Sequence, residues 1–222
     1  TRELSTEEWF GVLDKAWTFG IPHVTFTGGE PTLREDLPAL IAHAEANGQV
    51  TGLMTDGLKL GDEGYLNALL QTGLDHLLFI LAPANTASWQ ALEACLKADI
   101  FVTVHLTIKE SDPTAIKSIL EKLASMGTKS LSLSADPAYR NSVLQNRQSL
   151  AELGISLVWD LPVPYTENNP VAFELLDDEI APTGAGKAWL YVEPDGDVLP
   201  AQGKADQVQG NILSDEFSKL YH

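Results

Sequence analysis

The sequence predicts an α/β fold of parallel strands joined by crossover helices, and three observations carry that expectation. Strand-like runs recur at intervals of roughly 25 residues, and amphipathic helical patterns fill the gaps between them. Several strands also alternate polar with apolar residues, where a sheet buried on both faces reads as near-continuous Val, Ile and Leu. A leucine-rich solenoid has a similar period, but its L-x-x-L-x-L signature is missing and these helices are too long for it.

In chain order, Ser5 and Glu8 stand in capping-box spacing before a helix that carries Trp9, Phe10, Leu13, Ala16 and Trp17 on one face and ends by Gly20. The first strand is HVTFTG (23–28). Leu37, Leu40, Ile41 and Ala44 mark the next helix, closed by Gly48, and VTGLMT (50–55) the second strand. HLLFIL (76–81) and IFVTVHLTI (100–108) follow, separated by the helical stretch WQALEACLKAD, on which Cys95 reads as a packing residue. Ile116, Ile119, Leu120 and Leu123 precede Gly127 in the helix before SLSLSA (130–135), and ISLVWD (155–160) closes the series. The first helix precedes any strand and the chain opens on Thr1, so further sequence upstream is expected and 23–28 should have an open edge.

This alternation suits either a barrel or a doubly wound sheet, and the strand faces favour the barrel. Thr103, His105 and Thr107 alternate with Val102, Val104, Leu106 and Ile108; Thr25 and Thr27 alternate with Val24 and Phe26; Ser130, Ser132 and Ser134 with Leu131 and Leu133. With the apolar faces on helices, the polar residues line an interior that ordinary (β/α)₈ barrels fill with branched apolar side chains, which predicts a wide, wet lumen. The alternative is that these hydroxyls satisfy one another or backbone carbonyls. Beyond Pro162 the rhythm gives way to a Pro-, Asn- and acid-rich connector, in which Asp177, Asp178 and Glu179 read as a solvated face. AWLYVEPDGDVLPAQG then reads as a hairpin turning at Pro194-Asp195-Gly196, with Trp189 and Tyr191 packed on it rather than flanking a lid.

Composition excludes some functions. Of 222 residues, 14 are basic and 31 acidic, a net charge of −17 that is wrong for a nucleic-acid partner. No apolar run approaches the roughly 20 residues that span a bilayer, and no signal pattern opens the chain, so a cytoplasmic protein without a membrane partner is expected. The single cysteine, Cys95, can form neither an internal disulfide nor a cysteine-ligated cluster.

The stretch TFTGGEPTLREDL (25–37) is the leading functional candidate. A structural account lets Gly28 and Gly29 relieve a strand-to-helix turn, Pro31 stiffen it, and Thr32 with Glu35 cap the next helix. It leaves Glu30 unexplained, an acid at the carboxyl end of a strand, where α/β folds place their ligands. Glycines there let a ligand meet bare backbone, and a carboxylate takes a cation such as an α-amino group.

From the first helix through ELSTEEWF…TFTGGEPTLREDL…TGLMTDG, the chain resembles the radical S-adenosylmethionine (radical SAM) enzymes. YVEPDGDVLPAQGKADQVQGNI resembles the C-terminal extension of the branch that carries SPASM or twitch auxiliary-cluster domains. The resemblance implies a partial (β/α)₆ TIM-like barrel lacking its first strand over 1–162, then a connector and SPASM/twitch-like extension over 163–222. It implies a cofactor-contacting set of Gly28, Gly29, Glu30, Pro31, Thr55 and His105, chiefly around the amino group of SAM. It further implies that the intact protein cleaves SAM reductively at a [4Fe–4S] cluster, giving a 5′-deoxyadenosyl radical that takes hydrogen from a peptide or small-molecule substrate. The family's C-x₃-C-x₂-C ligands are absent from this chain, so on its own it is expected to be inactive, and no catalytic residue is assigned.

Internal departures accompany that absence. Met54-Thr55-Asp56-Gly57 stands where Asn-Thr-Asn-Gly is frequent, Ile80-Leu81-Ala82 ends a strand that is often polar there, and Ala201 occupies an auxiliary-cluster cysteine position. They motivate an alternative, a non-catalytic radical SAM-like binding protein that has lost its cluster. A third reading, a metal-dependent barrel hydrolase, requires His105, Asp160, His76 and Glu30 to converge, without H-x-H or H-E-x-x-H spacing to support it.

Overall fold

A computed structural model of the chain describes residues 2–109, 112–135, 139, 146, 148–158, 189–200 and 206–220. Six parallel strands form one sheet: β1 (His23–Phe26), β2 (Val50–Thr55), β3 (His76–Ile80), β4 (Phe101–Ile108), β5 (Ser130–Ala135) and β6 (Ser156–Leu157). Helices α1 (Thr6–Thr18), α2 (Leu37–Asn47), α3 (Glu63–Leu70), α4 (Thr86–Lys97) and α5 (Pro113–Ser125) precede or connect them. The strands lie in the order β1-β2-β3-β4-β5-β6, so every parallel pairing joins chain neighbours. A doubly wound sheet reverses direction at a switch point, and this one does not.

Apolar residues of the strands and helices build the core. Leu53, Leu77, Phe79, Val104, Leu106, Leu131 and Leu133 are buried in one cluster with Leu37 and Ile41 of α2, Leu92 and Cys95 of α4, and Ile116, Leu120 and Leu123 of α5. Each fully buried Leu, Ile or Phe contributes about 1.5–3 kcal/mol through removal of apolar surface from water. β1 is an edge strand among the described residues, which agrees with the open edge expected of 23–28. Of the sixth predicted strand, residues 159 and 160 lie outside the described residues, as do the connector acids Asp177, Asp178 and Glu179 and position Ala201.

The predicted capping box is present: the Glu8 amide donates to the Ser5 hydroxyl at 3.3 Å, and the Ser5 amide to the Glu8 carboxylate at 2.8 Å. The predicted face of α1 is rotated, because Val12 and Leu13 are its buried residues and Trp17 is 43% exposed. The second predicted cap is also corrected. Thr32 sits inside a 3₁₀ turn, Pro31–Leu33, and Asp36 occupies the N-cap position of α2. Asp36 instead takes a two-pronged pair of bonds from Arg34, at 2.9 and 2.8 Å, and one from the Thr6 hydroxyl at 2.7 Å, tying α1 to the start of α2. The Arg34 bonds hold the Asp36 carboxyl below its usual range, with Thr6 assisting against partial burial. Asp36 therefore stabilises the fold above its unfolded pKa of about 3.9, and that stabilisation is lost as pH falls through the lower folded value. Asp36→Asn is expected to cost about 1 kcal/mol at pH 7 and progressively less below pH 4, as read from urea midpoints at each pH.

A second, antiparallel sheet comprises β7 (Tyr191–Val192), β8 (Asp197–Leu199) and β9 (Gly210–Asn211). The predicted hairpin is its first pair, with buried Tyr191 opposite Leu199. The third strand and the short helix α6 (Phe217–Leu220) have no periodic signal and were not anticipated. This unit packs on α1: Val198, Ile212, Phe217 and Leu220 share a buried cluster with Leu4 and Val12. The Lys15 ammonium donates to the carbonyls of Ile212 and Asp215 at 2.5 and 2.7 Å, and Phe19 stacks on Phe217 with ring centroids 4.4 Å apart. Among the described residues, no helix is long and apolar enough to cross a membrane.

Candidate functional site

The carboxyl ends of β1 and β2 bring residues 28–32 and 55–57 together. Gly28 has φ = 134°, a backbone conformation that favours glycine, while Gly29 has no such demand. A Cβ built on Gly29 meets no atom within 4 Å, so the fold itself gives no reason to exclude a side chain there. That open space beside bare backbone suits close approach by a ligand.

Glu30 is half-buried beside this opening and carries the main polar network. Its Oε1 accepts from the Thr32 amide at 2.9 Å, the Thr32 hydroxyl at 2.6 Å and the Thr55 hydroxyl at 2.7 Å. Its Oε2 accepts from the Asp56 amide at 2.8 Å. The carboxylate thus caps the 3₁₀ turn that follows it and stitches that turn to the end of β2. Asp56 bonds the Leu58 amide at 2.9 Å, and its carboxyl is raised by burial and then by the nearby Glu30 charge. The Lys59 ammonium donates to the Thr32 carbonyl at 2.7 Å while lying 4.2 Å from the centroid of the Tyr65 ring, so the turn is braced from its far side. Pro31 is buried in that turn.

His105, assigned to the cofactor set from sequence, lies elsewhere in the sheet. It pairs in register with Ile80 and Ser132, and its ring nitrogens lie 3.0 Å from the Ser132 hydroxyl and 3.1 Å from that of Ser134. Thr103 pairs with Ser130 at 3.0 Å, and Ser134 donates to Thr107 at 3.0 Å. The predicted polar face therefore exists, and across β4 and β5 its groups satisfy one another in a buried ladder. Both ring nitrogens have hydroxyl partners within this ladder.

Burial lowers the His105 pKa to about 4, so the ring is neutral near pH 7. The unfolded state, with a histidine pKa of about 6.5, takes up a proton first as pH falls, so stability is full above pH 6.5 and declines towards pH 4. The shift corresponds to a loss of about 3 kcal/mol across that window. His105→Gln should remove this portion of the acid sensitivity, visible as a flatter curve of unfolding free energy against pH.

The hydrolase constellation does not assemble. His76 begins β3, at the amino end of the sheet, whereas Glu30 follows the carboxyl end of β1, and Asp160 lies outside the described residues. Among the described residues, no cluster of three or more metal-ligating side chains exists. Cys95 is fully buried, and burial pushes its thiol up to about 12, so it supplies no thiolate ligand near neutral pH.

The fold and site define a class: parallel α/β proteins with sequential strand order and a Gly-Gly-Glu-Pro turn at the carboxyl edge of the sheet. Solved structures share the fold. Streptococcus suis SuiB bound to S-adenosylmethionine matches with a TM-score of 0.73 and 13% identity, covering 100% of this chain and 60% of its own. Native anSMEcpe with bound AdoMet matches with a TM-score of 0.71 and 13% identity, covering 98% of this chain and 71% of its own. In sequence, the chain is similar to the PqqA peptide cyclase of Granulibacter bethesdensis, 30% identical over 162 residues that cover 67% of this chain and 43% of the relative. It is also similar to that of Streptomyces rochei, 29% identical over 222 residues that cover 89% of this chain and 60% of the relative. The chain thus spans about half the length of these relatives. No protein-family model matches it. The relatives and the fold together support the radical SAM family that the motif resembles.

Proposed function

We propose that this chain is the SAM-binding part of a radical SAM enzyme that modifies a peptide, comprising a partial (β/α)₆ barrel over 1–162 and a SPASM/twitch-like unit over 163–222. The observation that carries the reading is Glu30 beside the open backbone of Gly29, at the carboxyl edge of a sequentially ordered parallel sheet. This acceptor set fits the methionine end of SAM: Glu30 accepts from the α-ammonium, Gly28 and Gly29 admit it to backbone carbonyls, and Pro31 fixes the turn. When bound with an iron–sulfur cluster, SAM supplies radical hydrogen abstraction. The cluster does not fit on this chain, whose one cysteine is buried and protonated, so its thiolates must come from outside these residues. A peptide substrate is supported by relatives named for a peptide and by solved neighbours holding the precursor peptide SuiA or the Cp18Cys peptide. The acidic composition and single reduced cysteine suit a cytoplasmic enzyme.

A competing reading, a binding protein without chemistry, is favoured by the internal departures: Met54 and Asp56 where asparagines are frequent, Ile80-Leu81-Ala82 at a strand end that is often polar, and Ala201 at an auxiliary-cluster cysteine position. Hydrogen exchange of the chain with saturating SAM tests the shared premise: protection should centre on residues 27–31 and 55–57. Unchanged exchange there would remove SAM from both readings. If SAM protects the site, joining the chain to a segment that binds a cluster separates them, since only the enzyme should then release 5′-deoxyadenosine under reduction.

A further inference from the structure

We infer that Thr32 and Thr55 are positioning residues for Glu30, fixing its carboxylate so that only Oε2 is left to receive a ligand donor; the inference rests on the SAM-binding reading of the Gly-Gly-Glu-Pro turn. A carboxylate oxygen offers about two lone-pair directions. Oε1 already accepts three donors, from the Thr32 amide, the Thr32 hydroxyl and the Thr55 hydroxyl, all within 2.9 Å. Oε2 accepts one backbone donor, the Asp56 amide at 2.8 Å, with the Asp56 carboxyl close beside the Glu30 carboxylate. The Thr55 hydroxyl is itself aimed, because the Gly57 amide donates to it at 3.0 Å and turns its proton towards Glu30. Both threonines are 1% exposed, so their side of these bonds is shielded from water.

In this inference Thr55 acts on the ligand through the Glu30 carboxylate. The geometry thus gives the Glu30 carboxylate a fixed orientation.

A double-mutant cycle tests this with T55V, T55S, E30Q and T55V/E30Q, reading SAM affinity by calorimetry and exchange of the Asp56 amide by NMR. T55V should weaken SAM binding and speed Asp56 exchange, each about tenfold, the value of one hydrogen bond to a charged group. T55S should restore both, and adding T55V to E30Q should change neither further. Equal losses from T55V in both backgrounds, or none in either, would overturn the assignment. If the unmodified chain binds no SAM, the functional reading falls, and Asp56 exchange across the cycle alone decides whether Thr55 positions Glu30.

Discussion

Glu30→Ala is expected to lower the unfolding free energy by about 2–4 kcal/mol, because it strands donors that cannot turn away. Two of its four partners are hydroxyls able to re-aim, but the amides of Thr32 and Asp56 are fixed by the turn and by the end of β2. Each buried donor left without an acceptor costs about 1–3 kcal/mol, and partial water access at this half-buried site keeps the sum near the lower end. For a chain of this size the melting temperature should fall by roughly 5–15 °C. Glu30→Gln should lie between, since either orientation of its amide sets an NH₂ group against a donor. Calorimetric melting of the three proteins checks the order, and an alanine variant as stable as the parent would show that the stitch contributes nothing.

Gly57→Ala should be comparably damaging for a different reason. Gly57 has φ = 73°, a left-handed conformation that costs a residue with a Cβ about 1–2 kcal/mol. The added carbon would also overlap the ring of Phe79, which is fully buried and has little room to retreat. Overpacking of that kind adds about 1–3 kcal/mol, for a total of about 2–5. Shortening the obstacle should relieve part of it, so Gly57→Ala is expected to cost less in a Phe79→Leu background than alone. Chemical denaturation of the four proteins gives that coupling directly, and strict additivity would place the damage in the backbone alone. Because Gly57 also orients Thr55 through its amide, a displaced backbone here should reach Glu30.

Much of the sheet was legible because its signals are local. β2 and β5 occupy the predicted residues, where β-branched or alternating runs end abruptly at turn residues. The Ser5–Glu8 cap was equally visible, since both partners lie within one turn. The location of the candidate turn could be read from Gly-Gly-Glu-Pro alone, but its wiring could not. Glu30 shares its carboxylate with Thr55 and Asp56, which lie 25 and 26 residues away, and only the β1–β2 register brings them together. The same limit governs His105. Alternation marked its strand face as polar, while the choice between an open lumen and a closed ladder depended on its pairing with Ser132. β9 was missed because two residues, Gly210 and Asn211, carry no period; Asn211 is held there by side-chain bonds to Asp195 and Asp197.

The clasp between α1 and the C-terminal unit also constrains the order in which the molecule can be completed. Leu4 and Val12 leave the ribosome long before Ile212, Phe217 and Leu220, which cover them. Throughout synthesis of the intervening sheet, that apolar surface on α1 waits without its cover, exposed to solvent and to chaperones. Sequence-distant closure of this kind is slow compared with helix or neighbouring-strand formation. The α1 surface is therefore open to mispairing in the nascent chain until α6 seals it, a step that must follow synthesis of the sheet.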